Sequence, residues 1–302
     1  MKLVSFTADG EARRVGVLDG DTVHDLADAF GVSDVGGLLA AGIGVDAVRA
    51  ALASAPTRPL AGVRLLAPIA RPPKIICVGL NYHDHCREQD IEPPRHPILF
   101  SKFANAVADP GASVVRPIAT EKLDLECELA VVIGRRAARI GLDEAPAAIF
   151  GYTVVNDVTM RDLQREDGQW LRAKGSDGFA PMGPAVVTAD EIGDPQALRL
   201  RSSVNGETWQ DSTTAEMVFD VRTIVAFVSR TITLEPGDVI ATGTAAGVGH
   251  YQSPPRYLAD GDLMRCEIEG IGAIENQVID ETPRLDDHHL AAGVDVLGTG
   301  QR

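Results

Sequence analysis

The stretch that decides the fold is residues 124–134, DLECELAVVIG. Its second half is typical of a β-strand inside a core, whereas its first half has a carboxylate at every second position: Asp124, Glu126 and Glu128. Successive side chains of a strand point to opposite faces, so the three acids share one face and the apolar residues share the other. The stretch therefore predicts a strand with one packed face and one face of candidate ligands.

Carboxylates that share a face and are shielded from water repel each other. Either one of them is then protonated or a cation lies between them. An all-oxygen ligand set favours Mg²⁺ or Mn²⁺. Asp157 is a candidate third ligand, because it follows the apolar run IFGYTVVN, whose end would project it into a cleft. The alternative is that Glu126 and Glu128 lie on a solvated strand face and pair with Lys or Arg.

Composition excludes several classes of protein. With 302 residues, 45% of them hydrophobic and 24% charged, the chain has the profile of a soluble folded protein with a large and a small domain. A net charge of -15 without any Lys/Arg cluster argues against nucleic-acid binding. We see no signal-peptide pattern and no run of about 20 apolar residues, so we expect a cytoplasmic protein that does not bind membranes. The four cysteines form no CxxC pair, which predicts reduced thiols.

Turn and periodicity signals predict three parts of the chain: a small N-terminal α/β domain with its linker at 1–70, a larger strand-rich domain at 71–285 and a loosely held tail at 286–302. The first part has a hairpin at LDGD (18–21), a glycine-broken helix (35–55) and a linker with five prolines (56–74). In the second part, strands are predicted at 74–79, 97–100, 126–134, 150–156, 184–188, 197–204, 207–210, 238–242, 263–269 and 273–279, with a type I′ turn at Asn205–Gly206. Helices are predicted after His83 and near 144–149, 159–167 and 216–230. The fold class is α+β, mainly β: a mixed β-sandwich or roll with peripheral helices.

The stretch LNYHDHCREQ (80–89) contains a candidate general base. His85 and Glu88 are three residues apart and share a face if the stretch forms a helical turn. A carboxylate beside an imidazole fixes its tautomer and raises its basicity, as activation of water requires. An incidental pair on a surface helix is the alternative. Cys86 as a nucleophile is disfavoured, because adjacent helical residues do not face each other.

Three further stretches contain candidate site residues: Lys174 for catalysis, and Arg161, Gln164 and Thr244 for substrate binding. In VTMRDLQ, Arg161 and Gln164 could direct a guanidinium and an amide at a carboxylate, unless they are only the polar face of a surface helix. Lys174 lies in RAKGSDGFAPMGP, which we interpret as a Gly/Pro-rich loop, with an exposed lysine as the alternative. In ATGTAAGVG, Thr244 and backbone N–H groups could hold an anion, although a tight turn would need the same residues.

Taken in order, LNYxxHxxE, DLECELAVVIG, YTVVNDVTMRDLQ, KGSDGFAPMGP and TGTAAGVG form a series that resembles the fumarylacetoacetate hydrolase family over roughly residues 70–280. The N-terminal segment is similar to the extra domain of many bacterial members. The resemblance implies a mixed β-sandwich roll, a homodimer and a set of site residues. It implies Mg²⁺ or Mn²⁺ ligands at Glu126, Glu128 and Asp157, a catalytic dyad of His85 and Glu88 on a lid, a lysine near the metal at Lys174, and substrate contacts at Arg161, Gln164 and Thr244.

One loop departs from the family pattern, and one matching position is given no role. Many relatives have TGTPxG where this chain has TGTAAG, which affects the rigidity of the loop but keeps its threonine. Asp124 matches a position that is acidic or Asn in relatives, and we assign it no metal role.

The resemblance implies an enzyme acting on a small 2-oxo acid. Our leading hypothesis is a metal-dependent hydrolase that cleaves the C–C bond of a 2,4-diketo acid of the acylpyruvate or diketo sugar acid type. The dyad would activate water, and the metal would stabilise the pyruvate enolate that leaves. Alternatives are an oxaloacetate decarboxylase or a 2-hydroxy-diene-dioate isomerase, which use the same enolate. A noncatalytic 2-oxo acid binding protein is a further alternative, against which the intact dyad argues.

Overall fold

The computed structural model describes residues 1–8 and 10–282, so the tail predicted at 286–302 lies outside the described residues. The strands are β1 (Lys2–Thr7), β2 (Arg14–Asp19), β3 (Thr22–Asp25), β4 (Thr57–Pro59), β5 (Arg64–Leu66), β6 (Ile75–Gly79), β7 (Ile98–Lys102), β8 (Val107–Ala108), β9 (Val114–Arg116), β10 (Leu123–Asp124), β11 (Cys127–Ile133), β12 (Ile149–Asn156), β13 (Thr159–Met160), β14 (Ala180–Thr188), β15 (Arg199–Val204), β16 (Glu207–Thr213), β17 (Val239–Thr244), β18 (Leu263–Ile268) and β19 (Gly272–Asp280). The α-helices are α1 (Ala27–Phe30), α2 (Val35–Ala40), α3 (Val45–Ala51), α4 (His83–Glu88), α5 (Ala145–Ala148), α6 (Arg161–Asp167), α7 (Leu171–Lys174) and α8 (Val221–Ser229).

The larger sheet has 12 strands, ten of them in the order β4-β3-β2-β1-β14-β12-β11-β17-β6-β7. Strand β11 lies inside it, antiparallel to both β12 and β17. The N-terminal strands extend this sheet, because β1 pairs with β14. The proline-rich stretch predicted as a linker contains two short strands, and its β5 pairs with β1.

The smaller sheet has the order β16-β15-β18-β19-β9. Its apolar residues form one core with the inward face of β11, where Leu125, Cys127, Leu129 and Val131 are buried as the period-two pattern predicts. The predicted type I′ hairpin joins β15 to β16, and its two central residues, Asn205–Gly206, have positive φ angles of 52° and 83°. The observed architecture therefore confirms the predicted class, mainly β with two packed mixed sheets.

Two of the predicted helices begin later than expected, and one residue predicted in a loop lies in a helix. The helix expected around 159–167 begins at Arg161, because residues 159–160 pair with β10 as a short strand. The helix expected at 216–230 begins at Val221, where the Asp220 side chain caps it by accepting a hydrogen bond from the Thr223 N–H. Lys174, predicted in a loop, is the last residue of helix α7 and is buried. That prediction was wrong because the glycines that indicated a loop begin only at residue 175.

Within the part of the chain that the structure describes, no helix has both the length and the apolar character needed to cross a membrane.

Candidate active site

An irregularity between β10 and β11 brings the acidic residues together. Glu126 lies between these strands, where its N–H donates to Asn156 Oδ1 at 3.1 Å instead of to a strand neighbour. The next N–H, of Cys127, donates to Gln210 Oε1 at 3.0 Å. Side-chain amides thus replace ladder hydrogen bonds, so the backbone departs from regular pairing without leaving buried N–H groups unsatisfied.

Three buried carboxylates converge beside this irregularity. Glu126, Glu128 and Asp157 each offer an oxygen, and these oxygens lie within 4.8 Å of one another. Asp157 directly follows β12, and its N–H donates to the Glu126 carbonyl at 2.8 Å, which fixes the two ligand-bearing segments side by side. The sequence prediction of one acidic cluster from two strands is confirmed geometrically.

Buried cations hold two of the three carboxylates. Lys174 Nζ lies 3.0 Å from Glu126 Oε2 and 2.7 Å from Asp157 Oδ2. Arg161 Nη1 lies 2.6 Å from Glu126 Oε1. Despite burial, which raises it, the pKa of Glu126 is lowered by Lys174 and Arg161. Glu126 is therefore ionised.

Glu128 differs from its neighbours, because among the described residues it has no ion-pair partner. Its Oε2 accepts a hydrogen bond from the Gly243 N–H at 2.9 Å. Burial, together with the charges of Asp157 and Glu126, raises the pKa of Glu128 well above its usual range. Glu128 is thus the carboxylate of the triad that a bound cation would neutralise, and an oxygen-only donor set fits a hard divalent cation. Glu126, Glu128 and Asp157 would hold it.

Lys174 acts as a fixed positive charge in this cluster. Burial lowers its pKa, but Asp157 and Glu126 more than offset that effect, so the pKa of Lys174 is raised. Its Nζ also donates to the Thr159 hydroxyl at 2.8 Å. A permanently protonated ammonium with three partners cannot accept a proton, so a general base has to come from another residue.

The His85–Glu88 pair is the candidate for such a base. On helix α4, His85 Nδ1 lies 2.8 Å from Glu88 Oε2, and Glu88 Oε1 accepts a hydrogen bond from the Gly247 N–H at 2.7 Å. Because a carboxylate only accepts, Nδ1 carries the hydrogen and Nε2 remains an acceptor. His85 lines the cavity, whereas Glu88 does not, so Glu88 acts through the imidazole that it orients.

Arg161 is placed for contact with an anionic ligand. Asp124 holds it through a 2.9 Å hydrogen bond from Nε to Oδ2, while Nη1 donates to Gln164 Oε1 at 3.2 Å. Its Nη2 is buried without a hydrogen-bond partner among the described residues. Asp124 also accepts the N–H groups of Gly249 and His250, at 2.9 and 3.0 Å. Asp124 thus positions Arg161 and a loop, consistent with our assigning it no metal role.

Most of these groups line one cavity of about 250 Å³. Glu126, Glu128 and Thr244 form its polar side. An apolar side is formed by Val78, Phe100 and Trp170, with the two aromatic rings edge to face at 5.2 Å. The Thr244 hydroxyl is engaged by the Cys127 carbonyl at 3.0 Å and by the side chain of Gln210 at 2.7 Å. All predicted site residues except Glu88 and Asp157 line this cavity.

Sequence reasoning missed several residues of the site. Tyr251 and His250 line the cavity, and the Tyr251 ring lies edge to face with His85 at 5.8 Å. Two aromatic residues directly after the small-residue loop were the available signal. Lys102 was also missed, although a lysine ending the apolar run ILFSK indicates a buried partner. Its contacts are described below.

Two packed β-sheets, a buried acidic triad that could hold a metal ion and a histidine–glutamate pair beside it define a class of enzyme. The chain belongs to the fumarylacetoacetate hydrolase family: residues 74–279 match the family described as fumarylacetoacetate (FAA) hydrolase, C-terminal. Residues 1–68 match a second family, described as Rv2993c-like, N-terminal. The resemblance inferred from the motifs is therefore confirmed, whereas the individual roles of the site residues stay predictions.

Relatives within the family carry different activities in their names. Oxaloacetate tautomerase FAHD2A, mitochondrial, of Bos taurus is 47% identical over 238 residues, covering 78% of this chain and 76% of that protein. The structure of a fumarylacetoacetate hydrolase from Exiguobacterium antarcticum is 41% identical with a TM-score of 0.85, covering 93% of this chain and all of that one. Maleylpyruvate hydrolase from Sphingobium sp. SYK-6, crystallised with manganese(II) and pyruvate, is 30% identical with a TM-score of 0.78 and the same coverage.

Proposed function

We propose that this protein is a divalent-metal-dependent oxaloacetate tautomerase, which interconverts the enol and keto forms of a four-carbon 2-oxo dicarboxylate. The observation that carries the proposal is the pairing of one oriented base, His85 Nε2, with buried cationic groups in the same cavity. The 47% identity to a bovine oxaloacetate tautomerase over three quarters of its length supports it. Tautomerisation thus replaces C–C hydrolysis as the leading reaction.

Proton transfer is the step that the site residues can perform. The enol loses the proton of its 2-hydroxyl and gains one at C3, and the reverse reaction removes a proton from C3. In ketonisation His85 Nε2 would take the 2-hydroxyl proton and deliver a proton to C3. In the reverse direction it would take the C3 proton and return one to the oxygen, while Glu88 holds the imidazole in the required tautomer. A bound Mg²⁺ or Mn²⁺ would polarise the 2-oxo oxygen and stabilise negative charge on it.

The charges of the cavity fit a dicarboxylate. Arg161 has a buried Nη2 without a hydrogen-bond partner in the described part of the chain, and Arg165 lines the exposed side of the cavity. Lys174 adds a third positive charge, although two carboxylates already hold it. Charge-assisted hydrogen bonds from guanidinium groups are strong and directional, and oxaloacetate offers two carboxylates to them.

Hydrolysis of an acylpyruvate is a second candidate. It is favoured by the maleylpyruvate hydrolase from Sphingobium sp. SYK-6, which was crystallised with manganese(II) and pyruvate. The apolar side at Phe100 and Trp170 could accommodate an acyl group. In that reaction His85 would take a proton from water rather than from C3. Oxaloacetate decarboxylation uses the same site and is tested alongside.

The deciding experiment follows enol-oxaloacetate, diluted from an aprotic solvent into buffer with Mg²⁺, by loss of its ultraviolet absorbance. We expect the protein to accelerate ketonisation over the spontaneous rate, and His85→Ala to lower turnover by about 10²-fold or more. His83→Ala on the same helix, whose side chain is exposed, is the matched control and should keep wild-type turnover. Cleavage of acetylpyruvate, or CO₂ release from oxaloacetate, without accelerated ketonisation would overturn the proposal.

A further inference from the structure

Lys102 is a buried lysine that no part of the proposed chemistry uses. It ends the edge strand β7, and its side chain has no solvent exposure. A buried ammonium costs several kcal/mol unless it is paired and its donors are satisfied, so its environment has to compensate for it fully.

Lys102 Nζ contacts the segments that carry the site residues. Its Nζ lies 2.6 Å from Asp157 Oδ1 and donates to the carbonyls of Val158 at 3.2 Å and Phe179 at 2.8 Å. It also donates to the Lys174 carbonyl at the end of helix α7. One ammonium therefore joins the loop after β12, the end of α7 and the segment leading into β14.

The two oxygens of Asp157 are consequently held by different lysines. Lys102 forms an ion pair with Oδ1, which has no hydrogen-bond partner among the described residues, and Lys174 donates a hydrogen bond to Oδ2 at 2.7 Å. Rotation of the carboxylate would break at least one of these contacts. Groups that hold a metal ligand in this way fix its orientation, and their removal typically lowers metal affinity about 10–100-fold.

We propose that Lys102 is a positioning residue for the metal site: it fixes the Asp157 carboxylate and, through the Lys174 carbonyl, the end of the helix that carries Lys174. The proposal rests on the acidic triad as the cation site and not on the identity of the substrate.

The direction of the change in Mg²⁺ affinity distinguishes a positioning role of Lys102 from a purely electrostatic one. If Lys102 contributed only charge, its removal would make the cluster more negative and tighten cation binding. If it positions Asp157, its removal weakens binding in spite of the more favourable charge. The two roles therefore predict opposite changes in Mg²⁺ affinity.

The test is Mg²⁺ titration of metal-free protein by calorimetry, without substrate, for wild type, Lys102→Met and Lys102→Gln. We expect about 10-fold weaker binding or more in whichever variant keeps the wild-type circular dichroism spectrum. Glutamine retains amide donors for the carbonyls, so it supports folding if methionine does not. Equal or tighter Mg²⁺ binding in a folded variant would overturn the proposal.

A matched control separates this effect from the general loss of an ion pair. Lys74 Nζ lies 2.7 Å from the buried carboxylate of Asp238. Asp238 directly precedes β17, at the opposite end of that strand from Thr244. We expect Lys74→Met to lower the melting temperature while leaving the Mg²⁺ dissociation constant unchanged. A similar loss of Mg²⁺ affinity in this variant would show that ion-pair removal anywhere disturbs the site, and it would also overturn the proposal.

Discussion

Replacing Glu128 with glutamine should stabilise the metal-free protein and, at the same time, remove most of its stabilisation by Mg²⁺. Glu128 is the one carboxylate of the triad without an ion-pair partner among the described residues, and its pKa is raised by burial and by the neighbouring Asp157 and Glu126. Glutamine has nearly the same shape and its amide oxygen can still accept the Gly243 N–H, which lies 2.9 Å from Glu128 Oε2.

The size of the stabilisation expected for Glu128→Gln follows from the distances between the carboxylate oxygens of the triad. At separations up to 4.8 Å, each pair of unit charges repels by about 3 kcal/mol at an effective dielectric constant of about 20. The nearby Lys174 cancels part of this repulsion. A net gain of about 1–2 kcal/mol in the free energy of unfolding raises the melting temperature of a chain of this size by about 2–8 °C.

The direction in which stability changes with pH is a second, independent prediction. A carboxyl group whose pKa is raised on folding favours the folded state below its unfolded pKa, and this contribution is lost as the pH rises through the folded value. Metal-free wild type should therefore lose stability from this group between its ordinary range near pH 4.5 and the raised value. Metal-free Glu128→Gln should not show this loss of stability with rising pH.

The assay is thermal unfolding of wild type and Glu128→Gln in EDTA and in saturating Mg²⁺. At a Mg²⁺ concentration of about 100 times its dissociation constant, wild type gains about 2.7 kcal/mol from binding, and the variant should gain much less. Glu121→Gln, at an exposed position, is the control and should match wild type in both conditions. A variant that is less stable in EDTA and keeps the full Mg²⁺ effect would refute the reasoning.

Three other substitutions test residues that line the cavity or hold a lining residue in place. Asp124→Asn removes the charge that holds Arg161, so we expect the KM for oxaloacetate to rise about 10-fold or more in steady-state assays, with a smaller change in kcat. Gly79→Ala would place its Cβ 2.6 Å from Trp170 Cζ3, so the indole should move, changing tryptophan fluorescence and raising KM several-fold. Tyr251→Phe loses the 2.9 Å hydrogen bond to Gln89, and stopped-flow binding should show faster product release. An unchanged KM in the first two variants, or an unchanged release rate in the third, would contradict the geometry described.

The local pattern of the sequence was enough to predict the acidic cluster. Period-two spacing indicated that Glu126 and Glu128 share a face, and the end of an apolar run indicated Asp157 as the third member. The order of the motifs then indicated the family. These features are readable because strand periodicity and strand ends are properties of a few consecutive residues.

Only the tertiary structure decided how charge is distributed over that cluster. Lys102 and Lys174 reach the two oxygens of Asp157 from separate segments, and no spacing along the chain encodes that meeting. The same holds for Asn156 and Gln210, whose amides replace ladder hydrogen bonds around Glu126. A buried charge or N–H group needs a partner, which can come from any distance along the chain. The sequence therefore determined which acids meet, and folding determined which of them, Glu128, has no ion-pair partner within residues 1–8 and 10–282.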